Sequence, residues 1–492
     1  MLHLRLFNHQ APRPPQTTAP PQTTAPPQTL TPPQTLAPPQ TFAPPQSALA
    51  TLVMPQSPAP QQAAIVLPVA SPSSLVAAPT GPSRSTIRSR AKRKQEREDA
   101  GLDAKAVAIR RTAAAARVPV DFSFGEPLEA VASTGYVCLN DAVLNERRIN
   151  AARDAGVVAE LLPGNGPHDL QELLDMGFEY DDWDGITAGA YTSQEGHQIV
   201  LKCGRPRDHA GSDWMREVAE PAAVFMQAAS AAMYEEKEVF FDGINFGTRA
   251  KKPAPPKVAG RRGSHLAETV GVGMGGGRKE PTNCDVKDSV KKAVLDHLSS
   301  REPFQRIVGF TNSMFGQYAS KLYGYYQQTL DQLFSRMPWL RRFFQQSVFA
   351  AFTFNFGPRT ATRAHLDLAN LAWGWCFITA LGWFDANFGG HLVLWDIKKI
   401  IRFPPGSTIG IPSAFMRHSN TRVQQHEIRY SFTQFSAGGI FRYVESGFQL
   451  NESVREMAAR MSASEQVQLV ERQARRFSEG VRMYSVYDAP AA

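Results

Sequence analysis

The chain has 492 residues, room for two to four domains at roughly 100 to 200 residues each, and four cysteines. Cys138, Cys203, Cys284 and Cys376 stand 65, 81 and 92 residues apart with no C-x-x-C pair, which excludes a disulfide scaffold and a cysteine zinc module. Net charge is +8, yet residues 84–97 alone carry +6 and residues 249–279 carry +7, so the remainder is a mildly acidic body bearing two basic segments, a distribution suited to a polyanion.

In chain order, the start MLHLRLFNHQAPRPP has an apolar stretch too short and too interrupted for a secretory signal, and an intracellular protein is expected. Residues 1–83 are read as a disordered tail: six PPQ repeats recur every six residues from Pro14, favouring extended polyproline II and offering no face to bury. Residues 84–117 contain helix formers without proline and form a basic helical segment, a nuclear import signal or a phosphate-contacting arm. Residues 118–246 mix strand-like and helix-like pieces and begin the folded region. The run Glu179, Asp181, Asp182, Asp184 lacks the spaced oxygen ligands of an EF-hand and reads as a solvated turn. Residues 247–284 are read as a mobile basic loop, rich in Gly and Pro, and GVGMGGG lacks the Lys and hydroxyl that close a phosphate loop.

Residues 285–448 hold two amphipathic helices, the second carrying the stripe Phe315, Tyr318, Leu322, Tyr325, Leu330, Leu333. Short strands follow at 348–356, 373–381, 391–395, 407–411 and 428–435, separated by Gly and Pro breaks, a spacing that implies a β sandwich or barrel. The apolar run 368–384 reads as buried strand, since His365 and Asp367 precede it and two glycines interrupt it, and no membrane segment is expected. Residues 449–492 are a polar helical tail with a Ser462–Glu465 capping box.

The chemistry lies in the strand-rich region. His365-Leu-Asp367 is an H-x-D pair, whose i and i+2 side chains share a strand face, and His418 follows 51 residues after Asp367. Two imidazoles and one carboxylate can hold Fe(II) on one face and leave three positions open. Eleven residues past His418, Arg429-Tyr-Ser431 is a second i, i+2 pair, whose guanidinium fork and hydroxyl suit the far carboxylate of a dicarboxylic co-substrate. His391, opening a strand, and His426, in a polar turn, are the rival third ligands. A structural zinc site at the same residues ranks last, because such sites prefer four Cys or His ligands.

The stretch from about 279 to 448 resembles the 2-oxoglutarate- and Fe(II)-dependent dioxygenases. More narrowly, His365-Leu-Asp367-Leu-Ala-Asn370-Leu-Ala-Trp-Gly374 resembles the H-x-D-x-x-N-x-x-x-G signature of the TET/JBP oxygenases, fungal members above all, and Arg429-Tyr430-Ser431 matches their R-x-S. The resemblance implies an α+β fold with a double-stranded β-helix (jelly-roll) core and flanking helices. It implies His365, Asp367 and His418 as iron ligands, Arg429 and Ser431 on 2-oxoglutarate, and O2 as co-substrate. Asn370 becomes the candidate base reader, its rival role being to hold the turn beside the metal. Arg261 and Arg262 become candidate phosphate contacts to double-stranded DNA carrying a methylated base in the nucleus; protein partners are not indicated. The cysteine-rich module of animal TET enzymes is missing. A peptide hydroxylase of the same superfamily and an inactive DNA-binding relative are the alternative readings.

Overall fold

The structure is a computed structural model that describes residues 88, 115–124, 134–138, 166–208, 211–249, 263, 265–284 and 286–487. The tail 1–83, nearly all of the basic segment 84–117, and Arg261 and Arg262 lie outside the described residues.

The described strands are β1 (Ala116–Pro119), β2 (Glu179–Asp181), β3 (Gly189–Thr192), β4 (Gln198–Gly204), β5 (Glu238–Phe241), β6 (Ile244–Thr248), β7 (Leu266–Gly275) and β8 (Arg278–Asn283). They continue with β9 (Ala351–Phe356), β10 (Cys376–Trp383), β11 (Leu392–Leu394), β12 (Lys399–Ile401), β13 (Thr408–Ile411), β14 (His418–Asn420) and β15 (Ile428–Phe435). Nine form one sheet in the order β1-β3-β4-β13-β10-β15-β9-β7-β8, and four form a second in the order β14-β11-β12-β2. From β10 to β15 the chain passes from the large sheet (β10) to a hairpin of the small one (β11, β12), back to the large (β13), to the small (β14) and to the large again (β15), and these crossovers enclose an interior between the sheets.

The helices bounded within the described residues are α1 (Leu170–Asp175), α2 (Glu220–Tyr234), α3 (Ser289–Ser300), α4 (Glu302–Tyr318), α5 (Ser320–Arg336), α6 (Gly438–Glu445), α7 (Asn451–Ala459) and α8 (Ala463–Val481). Alternation along β15 divides its two faces. Tyr430 and Phe432 pack with Phe304 of α4, Leu295 of α3 and Ala222 of α2 in one core, each large apolar side chain contributing about 2 to 3 kcal/mol by burial. Arg429 and Ser431 point the other way, into the interior between the sheets. A second core, containing Phe377, Leu392, Ile401, Ile409, Phe415 and Trp373, surrounds that interior and receives α5, α6 and α8. The Ser462–Glu465 capping box fixes the start of α8. No helix among the described residues is long and apolar enough to cross a membrane.

Three expectations need correction. The segment 247–284 is not a loop where it is described: β7 pairs along β9 from Leu266↔Phe356 to Gly271↔Ala351, and β8 folds back on it. Backbone pairing outweighs composition there, because the side chains that do alternate inward, Val270, Val272 and Met274, are buried. The hydrophobic stripe lies on two helices, broken at Ala319 (φ −139°, ψ 55°), with α3 before them. The sheets also extend beyond residues 285–448, since β1, β3 and β4 occupy one edge of the large sheet, β7 and β8 the other, and β2 lies parallel to β12 in the small one.

Candidate metal centre

After β9 the chain is drawn along β14. Asn420 donates its backbone N–H to Thr362 O at 3.1 Å, and His365 and His418 exchange backbone hydrogen bonds of 3.0 and 3.1 Å. That antiparallel bridge sets the two imidazoles side by side, ring centroids 4.3 Å apart. Two residues on, Asp367 donates its N–H to Ser413 O at 2.8 Å, which keeps its carboxylate on the same side as His365. One ligand atom from each of His365, Asp367 and His418 lies within 4.8 Å of the others, and His365 Nε2 is 3.9 Å from Asp367 Oδ1. All three side chains are buried.

The tautomers follow from the outer hydrogen bonds. Nδ1 of His365 faces Arg363 O at 2.7 Å and Nδ1 of His418 faces Met416 O at 3.0 Å. A carbonyl accepts only, so each Nδ1 carries the proton and each Nε2 presents its lone pair to the cluster, as metal-ligating histidines do. Bonds of about 2.1 Å place neighbouring ligands about 3 Å apart, a contraction within reach of small ring rotations. Two nitrogens and one carboxylate on one side, with positions left open, fit Fe(II) and fall short of the four ligands of a structural zinc site.

Arg429 is fully buried. Its Nη1 donates to Thr360 O at 2.8 Å, while Nε and Nη2 have no hydrogen-bond partner. Phe384 and Phe403 lie 5.7 and 5.9 Å from the guanidinium, and burial pushes its pKa down to about 10. Among the described residues no carboxylate neutralises it, and two of its nitrogens, Nε and Nη2, await an acceptor, the signature of a pocket for an external anion. The extended segment from Thr360 to His365 joins it to the metal ligands; five residues span at most about 17 Å.

Ser431, on the same face of β15, has its hydroxyl held by Asn355 Nδ2 at 3.0 Å. Asn370 is buried and gives Nδ2 to Ser413 Oγ at 3.1 Å, tying the turn after Asp367 to the loop before His418, the turn-holding role. Gly374 is explained by sterics: a Cβ there would lie 2.2 Å from the Tyr326 hydroxyl, which accepts from Trp375 N. His391 is outside the cluster, its Nδ1 engaged with Thr421 Oγ1 at 2.8 Å, and burial pushes its pKa down to about 4. His426 sits exposed in its turn.

No family model matches the sequence, and no curated protein matches it. Among solved structures, NgTET1 in complex with 5mC DNA matches with a TM-score of 0.34 at 11% identity, over 61% of this chain and 92% of that one. An oxidoreductase of the 2OG-Fe(II) oxygenase family from Burkholderia pseudomallei matches with a TM-score of 0.24 at 18% identity, over 47% of this chain and 93% of that one. At such TM-scores the reading of the site rests on its own geometry.

That geometry includes residues no motif announces. Gly390 has φ +74°, and a Cβ there would meet Phe384 Cε2 at 2.7 Å and Arg429 Cδ and Nε at 3.0 and 3.1 Å, so a glycine is what lets the guanidinium lie flat against the backbone. The Gly389-Gly390 pair marks a turn in the sequence; the arginine it accommodates is 39 residues away. Asn355, Thr360 and Ser413 act through hydrogen bonds between segments distant in sequence and leave no local pattern.

Proposed function

We propose that the chain is a 2-oxoglutarate- and Fe(II)-dependent dioxygenase of TET/JBP type, built on a double-stranded β-helix, that oxidises the methyl group of a methylated base, 5-methylcytosine above all, in nuclear DNA. One observation carries the oxygenase reading: a buried His365–Asp367–His418 cluster shares an interior with a buried arginine, two of whose nitrogens have no partner among the described residues. A metal alone does not require that arginine. A dicarboxylate co-substrate that must bind metal at one end and a cation at the other does.

His365, Asp367 and His418 would hold the iron through Nε2, a carboxylate oxygen and Nε2, with Arg363 O and Met416 O fixing both rings. When bound, iron with 2-oxoglutarate and O2 supplies an oxidant that hydroxylates a substrate C–H bond, 2-oxoglutarate leaving as succinate and CO2. Arg429 would take the distal carboxylate on Nε and Nη2, with Ser431 nearby on the same strand face. Phe384 and Phe403 enclose that ion pair, and the low dielectric strengthens it.

The two basic segments at 84–97 and 249–279 support a polyanionic substrate, and a base in a duplex has to be extruded to reach a buried metal. The experiment is nucleoside mass spectrometry after incubating the full chain, Fe(II), 2-oxoglutarate and ascorbate with methylated duplex DNA, beside a peptide panel. Oxidised methylcytosine supports the reading. Succinate release with the peptides and none with DNA overturns the substrate, and no succinate under any condition overturns the enzyme.

A further inference from the structure

Leu368 and Ala369, the two residues after Asp367, form one wall of a cavity of about 470 Å³ that Tyr136, Met274, Arg278 of β8 and Arg442 of α6 help to close. Among the described residues its lining contains two guanidiniums and no carboxylate. Arg442 is half-buried; its Nη1 has no hydrogen-bond partner among the described residues and its Nη2 meets the weak acceptor Met274 Sδ at 3.9 Å. Glu445, one turn along α6, does not serve it, being held by the hydroxyls of Tyr136 and Tyr325. Burial lowers the Arg442 pKa, as it does for a cation short of acceptors. Arg278 and Asn451 are shared with an adjoining cavity of about 220 Å³ that adds Lys279 and Arg455, against one carboxylate, Glu452, paired with Lys279 at 3.4 Å. Four cations therefore line two connected cavities that begin at the metal centre's own turn.

We propose that this pair of cavities is the phosphate-binding groove for the substrate strand, with Arg442 and Arg278 on neighbouring phosphodiesters and Lys279 and Arg455 further along. The proposal rests on the nucleic-acid reading above and adds the course of the strand. Repeated fixed cations suit a repeated anion, the guanidinium forks suit phosphate, and the apolar wall of Tyr136, Met274 and Leu368 suits a sugar or base face.

The test is fluorescence anisotropy of a methylated duplex oligonucleotide with the full chain across a salt series. Each lost phosphate contact lowers the slope of log K against log salt by about 0.9 and weakens binding about eightfold at 0.1 M salt. Arg278→Gln and Arg442→Gln are expected to show that change singly, with Fe(II) binding retained, while Lys292→Gln on α3 keeps the wild-type slope. Unchanged slopes in both arginine variants, with wild-type thermal midpoints, overturn the groove and leave the nucleic-acid reading standing. Should Arg442→Gln fail to fold, exposed Arg278 and the double variant Lys279→Gln/Arg455→Gln decide in the same way. Wild-type protein without affinity for the duplex overturns the nucleic-acid reading and the groove with it.

Discussion

Arg429 has the most to gain from a ligand, because the fold encloses its charge and leaves two of its nitrogens without acceptors among the described residues. Arg429→Gln is expected to raise KM for 2-oxoglutarate by about 30-fold or more, from the 2 to 5 kcal/mol of a broken buried charge pair, while Fe(II) affinity holds. The pH dependence has two opposite signs. Its folded pKa is pushed down to about 10, so the charged form opposes folding and stability rises as pH climbs past that value. In the proposed role co-substrate binding needs the cation, so KM should climb above pH 10 in the wild type and stay flat in Arg429→Gln. Gly390→Ala should mimic the loss by displacing the guanidinium, again with metal binding intact. His391 supplies an acid-side counterpart: with its pKa pushed from 6.5 to about 4, its contribution is complete above pH 6.5 and is lost as pH falls toward 4, on the order of 3 kcal/mol. Urea unfolding of wild type and His391→Asn at pH 7 and pH 4.5 should differ by about that much in pH sensitivity; equal sensitivity would place the titration elsewhere. His365 with Asp367 and Arg429 with Ser431 stood out because i, i+2 spacing is a local signal, whereas His418 was one of three candidate histidines until the fold set it beside His365. Asn355, Ser413 and Gly390 did not stand out, since what they do is set by partners 39 to 76 residues away.

Among the elements, β9, β10, β13 and β15 were legible as apolar runs between Gly and Pro breaks, whereas β12 and β14, three residues each, are too short to show a period. β1 and β2 join their sheets in parallel with partners far along the chain, and no sequence pattern specifies such pairings. The clamp that α8 places on the metal-bearing turn was equally hidden. A Cβ at Gly480 would lie 2.2 Å from the Trp373 ring, Tyr484 donates its hydroxyl to Trp373 O at 3.0 Å, and Trp373 stands in the turn that leads from Asn370 to β10. Gly480→Ala is therefore expected to push α8 off its seat at a cost of about 1 to 3 kcal/mol, read by urea denaturation and by a change in tryptophan fluorescence. An unchanged midpoint and spectrum would mean that α8 does not brace the turn.

For the whole molecule, the three candidate metal ligands and Arg429 come from three segments, residues 365–367, β14 and β15, that meet only when both sheets have closed over their shared interior. The unfolded chain has no such site, so metal binding is linked to folding. At a free Fe(II) concentration of 100 times Kd the folded state gains about 2.7 kcal/mol, and at about 1 to 2 °C per kcal/mol for a unit of this size the anaerobic thermal midpoint should rise by about 3 to 5 °C. A chelator should reverse the rise. Asp367→Ala, which leaves two imidazoles and no carboxylate, should lose more than about 100-fold in metal affinity and with it the shift. Adding 2-oxoglutarate should raise the midpoint further only when metal is present, and that second step should vanish in Arg429→Gln while the first remains. The order of the two steps separates the roles: an Asp367→Ala protein that still shifts with Fe(II) places the metal outside the cluster, and an Arg429→Gln protein that still shifts with 2-oxoglutarate places the carboxylate outside the arginine pocket.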